Sequence, residues 1–273
     1  MYNNKNLINI YVITLKPKEK YREESSYLSL KKITNKIKLS KGIILNKDQE
    51  NQYSLYARSP IAITFAHLKV WKYIKKCKSN GSNASNASNA SNASNIKDFS
   101  IILEDDTILN IKPKNFYKQI MNICENKNFD IYKLHSDFSN GFTSMAAYII
   151  NHKSIDKLLN LHKILIGHLD FDLYILHLFS KIEMITHKSN IFKTDETDSS
   201  NRLDKYSSLN LLSGIHLGQR CDKNLKQLLT FKVFRIFNYE TIVFEIILFT
   251  LLIISIIFKS RYLLLIVCIL FIL

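Results

Sequence analysis

Three consecutive carboxylic acids, Glu104, Asp105 and Asp106, directly follow an apolar run at residues 99–103. The run is short and rich in Ile, a pattern that predicts a buried β-strand. The acids would then lie at the C-terminal edge of a sheet, where open α/β folds bind ligands. Carboxylate oxygens suit a hard cation such as Mg²⁺ or Mn²⁺, which can also bind a diphosphate. A solvated turn or a helix N-terminal cap is the alternative interpretation of three adjacent acids.

Histidines offer a second possible chemistry. His168 and Asp170, together with His187 or His216, have the residue types of the facial triad that binds iron in non-haem oxygenases. Such triads normally lie on the strands of a barrel, whereas the sequence around Asp170, DFDLYILHLFSKI, has a helical pattern. Eight histidines in one chain also make accidental spacings easy. The pattern therefore disfavours an iron site.

The elements that must position these residues alternate between strands and helices. Short apolar runs rich in β-branched and aromatic residues predict strands, and apolar residues at helical spacing predict helices. This alternation is typical of an α/β domain. The predicted strands are residues 9–15, 99–103 and 129–134, with 143–150 as a strand or close-packed turn, and the predicted helices are 60–76 and 154–165, the latter beginning at a Ser cap.

A low-complexity segment interrupts the domain at residues 79–95. It repeats Ser, Asn and Ala and has no large apolar side chain to bury, so we expect a disordered inserted loop. Its glycosylation sequons would be used only in a secretory lumen, and the N-terminal residues lack the pattern of a signal peptide. The sequons begin at Asn80, Asn83, Asn86, Asn89 and Asn92.

The C-terminal residues 241–273 predict a membrane anchor. Residues 241–258 are apolar except for Glu245 and are just long enough to span a bilayer, whereas the apolar run at 262–273 is too short. One span followed by an interfacial segment is the first interpretation, a hairpin the second and a buried core helix the third. Basic residues before the span favour a domain, residues 1–238, that faces the cytoplasm. They are Lys223, Lys226, Lys232 and Arg235.

The net charge of +15 and the pI of about 9.5 suit acidic partners such as nucleotide diphosphates, anionic lipid head groups or nucleic acid. The lysines are spread along the chain and not interleaved with stacking aromatic residues, so we expect no nucleic-acid partner. The cysteines form no CxxC pair and predict neither a zinc site nor a disulfide framework. They are Cys77, Cys124, Cys221 and Cys268.

Five segments together resemble the glycosyltransferase family 25 domain. They occur in the order and at the spacings of that family, apart from the inserted repeat, and the resemblance covers about residues 7–205. The segments are YVITLKPKEKYR at 11–22, SPIAITFAHLKVWKYI at 59–74, SIILEDDTIL at 100–109, FDIYKL at 129–134 and TSMAAYIINHKSIDKLL at 143–159.

The resemblance implies a GT-A-type nucleotide-sugar-binding domain with a mixed central sheet. It further implies inverting transfer of a hexose, most often galactose from UDP-galactose, to a hydroxyl of a glycan such as lipopolysaccharide, of a lipid-linked acceptor or of a protein. A bound Mn²⁺ or Mg²⁺ offsets the charge of the departing UDP in such a reaction, and a carboxylate accepts the proton of the acceptor hydroxyl.

Individual roles also follow from this resemblance. Asp106 and Glu104 would bind the metal, with Asp105 in the same diphosphate motif. Leu15 and Arg22 would lie near the nucleotide, and His67 would belong to a helix motif that pairs a histidine with Trp71. The segment GHLDFDLYIL at 167–176 resembles the acidic segment of the family, which makes Asp170 or Asp172 the candidate catalytic base. Capping of the following helix is the other interpretation of these two acids.

The chain departs from the family pattern at three places. Thr14 stands where the family has Asn, Pro17-Lys18 where it has Arg-Ser, and Ala66 where it has Ser. The alternative function is therefore an inactive family member that acts as a basic binding or scaffolding protein at a membrane surface.

Overall fold

The structure is a computed structural model. It describes residues 8–52, 58–81, 96–125, 128–135, 145–162, 169–194, 232–236, 239–258 and 262. The chain divides into two units, Met1–Ile44 with Ala62–Asp198 and Leu45–Ile61 with Ser199–Leu273. The described elements are, in chain order, β1 Asn9–Thr14, α1 Lys18–Tyr21, α2 Ser25–Lys31, β2 Ile37–Lys41, α3 Lys47–Gln52, α4 Arg58–Gly81, β3 Phe99–Glu104, β4 Thr107–Leu109, α5 Pro113–Glu125, β5 Ile131–Lys133, β6 Ala147–Asn151, α6 Ile155–Leu161, α7 Leu169–Leu178, β7 Met184–Thr186, β8 Phe192–Thr194, β9 Lys232–Ile236, β10 Tyr239–Ile242 and α8 Val243–Ile257.

A six-stranded sheet forms the centre of the first unit. Its strand order is β2-β1-β3-β6-β5-β7. The pairs β1–β2, β1–β3 and β5–β7 are parallel, whereas β6 is antiparallel to both β3 and β5. Five strands therefore run in one direction and β6 runs in the other. This sheet, with helices along the chain between its strands, confirms the predicted mixed α/β class.

Both faces of the sheet are buried, as expected for largely parallel strands that read as continuous apolar runs. Because successive side chains point to opposite faces, Ile10 and Val12 of β1 lie in one core cluster and Tyr11 and Ile13 in the other. The first cluster includes apolar residues of α2 and α5, and the second includes residues of α4, α6 and α7. Helices thus cover the sheet on both sides.

The segment that follows the acids, strand β4, belongs to a separate two-stranded sheet. Strand β4 pairs with β8 in antiparallel register, with Thr107 opposite Thr194. The backbone N–H of Leu109 donates a hydrogen bond of 3.3 Å to Ser29 Oγ. The turn between β3 and β4 is therefore fixed at both ends, by the central sheet and by this ladder.

One predicted helix boundary is wrong, and one predicted helix cap lacks its side-chain hydrogen bond. Helix α4 continues through Gly81, into the predicted disordered insertion, and the hydroxyl of Ser79 donates to Lys76 O at 2.8 Å near its end. Helix α6 starts directly after Ser154, as predicted, and a 3₁₀ turn at His152–Ser154 precedes it. There the side chain of Asn151 accepts a hydrogen bond from Lys153 N, and Ser154 makes no side-chain cap.

Several predicted features lie outside the described residues. They include the repeat beyond Gly81, the end of the predicted helix at 163–165, the basic residues Lys223 and Lys226, and the apolar residues 263–273. Two of the four candidate iron ligands, His168 and His216, also lie there. The segment after His168 is helix α7, as its apolar spacing predicts.

The second unit contains the antiparallel hairpin β9–β10 and helix α8. The predicted span begins at residue 241, yet Thr241 and Ile242 belong to β10 and the helix has 15 residues. None of the helices in the described ranges is long and apolar enough to cross a membrane.

Candidate functional site

The acidic residues lie at the edge of the sheet where the parallel strands end. Glu104 is the last residue of β3, and Asp105 and Asp106 form the turn into β4. The hydroxyl of Thr107 donates to Glu104 O at 2.7 Å and closes this turn. Because β1 runs parallel to β3, Thr14 and Leu15 reach the same edge. We name Glu104, Asp105 and Asp106 the acidic turn.

Asp105 is hydrogen-bonded to the last residue of β1. The hydroxyl of the buried Thr14 donates to Asp105 Oδ2 at 2.6 Å, and the same oxygen of Thr14 accepts from Lys16 N at 3.0 Å. A hydrogen bond to an ionised carboxylate is among the stronger ones in proteins. Thr14 therefore supplies a hydrogen-bond partner that orients Asp105.

Glu104 is linked to helix α4. Its Oε1 lies 3.2 Å from His67 Nε2, and the His67 side chain has no exposed surface. This burial lowers the pKa of His67 to about 4, although the charge of Asp170 opposes the shift. His67 is therefore neutral at neutral pH, and its contact with Glu104 is a hydrogen bond rather than an ion pair of full charges.

The other nitrogen of His67 contacts the centre of the sheet. His67 Nδ1 lies 2.9 Å from the Tyr148 hydroxyl, and Trp71 Nε1 donates to that hydroxyl at 2.8 Å. All three side chains are completely buried. Trp71 thus packs in the core, and it also hydrogen-bonds in the network that leads to Glu104.

Asp106 is the least satisfied of the three acids. Its Oδ1 is buried and has no hydrogen-bond partner among the described residues. Burial raises the pKa of Asp106 to about 7, and the charges of Glu104 and Asp105 raise it further, whereas a backbone hydrogen bond and His135 oppose the shift. A buried carboxylate beside two like charges is stabilised most effectively by a cation.

The structure separates the two candidate bases on α7. Asp170 is partly exposed, and its Oδ1 accepts a hydrogen bond of 3.0 Å from Met145 N, just before β6. It is close enough to influence the pKa of His67. Asp172 is 3 % exposed and lies 4.0 Å from the buried ring of His162. Of the two acids, Asp170 is the more accessible, and its charge acts on His67, which contacts Glu104.

Leu15 and Arg22, the two predicted nucleotide contacts, differ in position. Leu15 is exposed directly after β1, where the backbone N–H of Gly42 donates to Thr14 O at 2.8 Å and joins the ends of β1 and β2. Arg22 is exposed at the end of α1, and no hydrogen bond or ion pair within the described ranges links its side chain to the acidic turn.

The acidic turn could hold a cation only if a bound ligand, such as a diphosphate, also coordinates that cation. No group of three or more His, Cys, Asp or Glu side chains in the described part of the chain is arranged to hold a metal ion. Mg²⁺ is commonly held by one or two carboxylates together with water and phosphate oxygens. The unpartnered oxygen of Asp106 and the neighbouring Glu104 match that smaller set.

The sequence did not single out two residues of this network. Tyr148 hydrogen-bonds to His67, and the charge of His135 influences the pKa of Asp106. A tyrosine inside the apolar run AAYII was a usable signal, because a buried hydroxyl requires a hydrogen-bond partner. No local pattern identifies His135, because its effect on the pKa of Asp106 depends on the arrangement of the strands in the sheet.

No protein-family model matches the chain, and no curated protein matches it. Among solved structures, the chain is similar to the crystal structure of a glycosyltransferase involved in the glycosylation of the major capsid of PBCV-1. The TM-score is 0.42 and the identity is 11 %, over 70 % of this chain and 94 % of that one. A TM-score below 0.5 does not establish a shared fold or a shared function.

Proposed function

We propose that the protein is a glycosyltransferase that uses a nucleotide diphosphate sugar, with the acidic turn as its diphosphate site. The observation that carries this proposal is the buried Asp106 Oδ1, which has no hydrogen-bond partner among the described residues and lies near two further carboxylates, at the edge where parallel strands end. Such a cluster repels a bare diphosphate and attracts a divalent cation, which the diphosphate can then share. The resemblance to family 25 supports UDP-galactose as the donor.

Each acid has a distinct role in this proposal. Asp106 and Glu104 bind the cation, and Asp105 shapes the turn through its hydrogen bond with Thr14. Mn²⁺ or Mg²⁺, when bound, offsets the negative charge that develops on the departing nucleotide. Leu15 borders the nucleotide from the end of β1.

Asp170 is the proposed general base. It accepts the proton of the acceptor hydroxyl while the hydroxyl oxygen forms a bond to the anomeric carbon, and the bond between that carbon and the diphosphate breaks. One direct displacement of this kind inverts the anomeric configuration. Asp172 is a weaker candidate, because its carboxylate is buried beside His162. A single partly exposed carboxylate is sufficient for this role.

Release of UDP by the full-length protein tests the proposal. We would supply a panel of UDP-sugars with an acceptor mixture, in Mn²⁺ or in EDTA, and compare wild type with Asp106→Asn and Asp170→Asn. We expect metal-dependent turnover of one donor, loss of about 10²-fold or more in both variants, and nucleotide binding retained by Asp170→Asn. Turnover that neither EDTA nor Asp106→Asn reduces would contradict the proposal.

The exposed apolar side chains of α8 support a second proposal, membrane association of the C-terminal segment. Phe249, Ile256 and Ile257 are each more than 60 % exposed. An apolar helix without a polar face is uncommon at a water-exposed surface. Co-sedimentation with vesicles should fall sharply when these three residues are changed to Ser. Equal binding of that variant would refute the role of α8.

A basic binding or scaffolding protein at the membrane surface remains the alternative function. It predicts binding to anionic vesicles that decreases steeply with salt, and no dependence on divalent cations. Vesicle binding in the absence of any nucleotide binding would favour this alternative over the enzyme.

A further inference from the structure

The Tyr148 hydroxyl joins the core of the sheet to the acidic turn. It lies 2.8 Å from Trp71 Nε1 and 2.9 Å from His67 Nδ1, and His67 Nε2 lies 3.2 Å from Glu104 Oε1. Tyr148 is on β6 and Glu104 is on β3. His67 and Trp71 are both on α4. The chain of hydrogen bonds therefore crosses from a helix to two neighbouring strands.

The direction of each hydrogen bond follows from the chemistry of the groups. An indole nitrogen can only donate, so the Tyr148 oxygen accepts from Trp71. Within the described residues, Trp71 and His67 are the hydrogen-bond partners of this hydroxyl. Its single proton is buried and needs an acceptor. That acceptor is His67 Nδ1, so the proton of the neutral ring is on Nε2, facing Glu104.

We propose that Tyr148 is a positioning residue, which fixes His67 as the Nε2–H tautomer and so directs an N–H donor at Glu104. This inference deepens the proposed function and rests on it, because it gives Glu104 a share in binding the cation. Trp71 contributes by occupying a lone pair of the hydroxyl, which leaves the Tyr148 proton to point toward His67.

The consequence for the site is a Glu104 carboxylate with a preset orientation. Groups that hydrogen-bond to metal ligands commonly change metal affinity or activity 10- to 100-fold when they are removed. Without the Tyr148 hydroxyl, only Glu104 favours a proton on Nε2, so the Nδ1–H tautomer of His67 becomes more populated. In the Nδ1–H tautomer, Nε2 presents a lone pair to the Glu104 carboxylate, which is a repulsive contact.

Tyr148→Phe in the full-length protein removes the hydroxyl and keeps the ring. The matched control is Tyr132→Phe. The hydroxyl of Tyr132 lies 3.0 Å from Nδ1 of another histidine, His187, and does not contact the acidic turn. In the presence of UDP, we expect Mn²⁺ to bind about 10- to 100-fold more weakly to Tyr148→Phe. The control should stay within about twofold of wild type.

The tautomer itself is measured by ¹⁵N NMR of the histidine rings. The chain has eight histidines, and the signal that disappears in His67→Gln assigns residue 67. We expect the Nε2–H tautomer in wild type and a mixture of tautomers in Tyr148→Phe. An Nδ1–H ring in wild type, or an unchanged signal in Tyr148→Phe, would overturn the inference.

A second pair of variants applies if Tyr148→Phe does not fold. The amide of His67→Gln can accept from Tyr148 and donate to Glu104, whereas His67→Leu can do neither. We expect Gln to retain most of the Mn²⁺ affinity and Leu to lose it, and equal losses would overturn the inference.

The result for wild type distinguishes this inference from the proposed function. If wild type binds Mn²⁺ and UDP but Tyr148→Phe binds them equally well, the proposed function stands and the role of Tyr148 is refuted. If Asp106→Asn has no effect on binding, the proposed function fails. The NMR signal of His67 then still decides whether Tyr148 fixes the tautomer.

Discussion

Replacing Asp106 with Asn should stabilise the protein at neutral pH. Burial, with the charges of Glu104 and Asp105 adding to it, raises the pKa of Asp106 from 3.8 to about 7. Each unit corresponds to about 1.4 kcal/mol, so the ionised carboxylate costs at most about 4 kcal/mol in the folded state. Partial exposure and counterions reduce this cost. We expect the Asn variant to gain about 1–2 kcal/mol in the free energy of unfolding.

The sign of the pH dependence follows from the raised pKa of Asp106. Between pH 4 and pH 7 the folded protein retains a proton that the unfolded chain has lost. Wild-type stability therefore falls as pH rises through this window, and the fall ends above the folded pKa. An uncharged Asn carries no such cost. The advantage of Asp106→Asn should be near zero at pH 4 and full above pH 7.

Urea denaturation in EDTA at pH 4.5, 6 and 7.5 measures this difference without a bound cation. Asp156→Asn is the control, because Asp156 is an exposed acid paired with Lys75. The control should change stability by less than about 0.5 kcal/mol. A gain for Asp106→Asn that does not depend on pH, or a loss of stability at pH 7.5, would refute the reasoning.

Two further predictions concern hydrogen bonds to carboxylates. Thr14→Val removes the donor to Asp105, and we expect a loss of about 1–2 kcal/mol in stability and weaker nucleotide binding. The control is Thr34→Val: Thr34 Oγ1 accepts from Lys36 N as Thr14 Oγ1 accepts from Lys16 N, and nucleotide binding by this variant should be unchanged. Burial raises the pKa of Asp130, but hydrogen bonds from Lys157 and other donors outweigh it and lower the pKa. Asp130→Asn should therefore cost about 1–2 kcal/mol at pH 7, less as pH falls through that lowered pKa, with turnover unchanged. Denaturation curves at several pH values and turnover assays check both.

The sequence was sufficient to predict much of the central domain. Strands β1 and β3 are continuous apolar runs that could be buried only in a sheet covered on both faces, and the acids after β3 were predicted at the edge of the sheet where the structure has them. The same reasoning predicted that α7 is helical. These elements could be predicted because each has a strong local pattern of its own.

The contacts within the site could not be predicted in this way. The bond between Thr14 and Asp105 joins residues 91 positions apart, and that between His67 and Tyr148 joins residues 81 apart. Such pairs depend on strand order and register, which hydrophobic periodicity does not encode. The resemblance to family 25 stays a prediction, since no family model matches the chain. The membrane span also has no counterpart among the described helices.

Calorimetric titration of UDP into the full-length protein tests the central claim most directly. Four samples are needed, wild type and Asp106→Asn, each with Mn²⁺ or with EDTA. We expect wild type with Mn²⁺ to bind UDP at least about tenfold more tightly than the other three, a difference of about 1.4 kcal/mol. Equal affinity in all four samples, or no binding by folded wild type, would contradict a shared cation at the acidic turn.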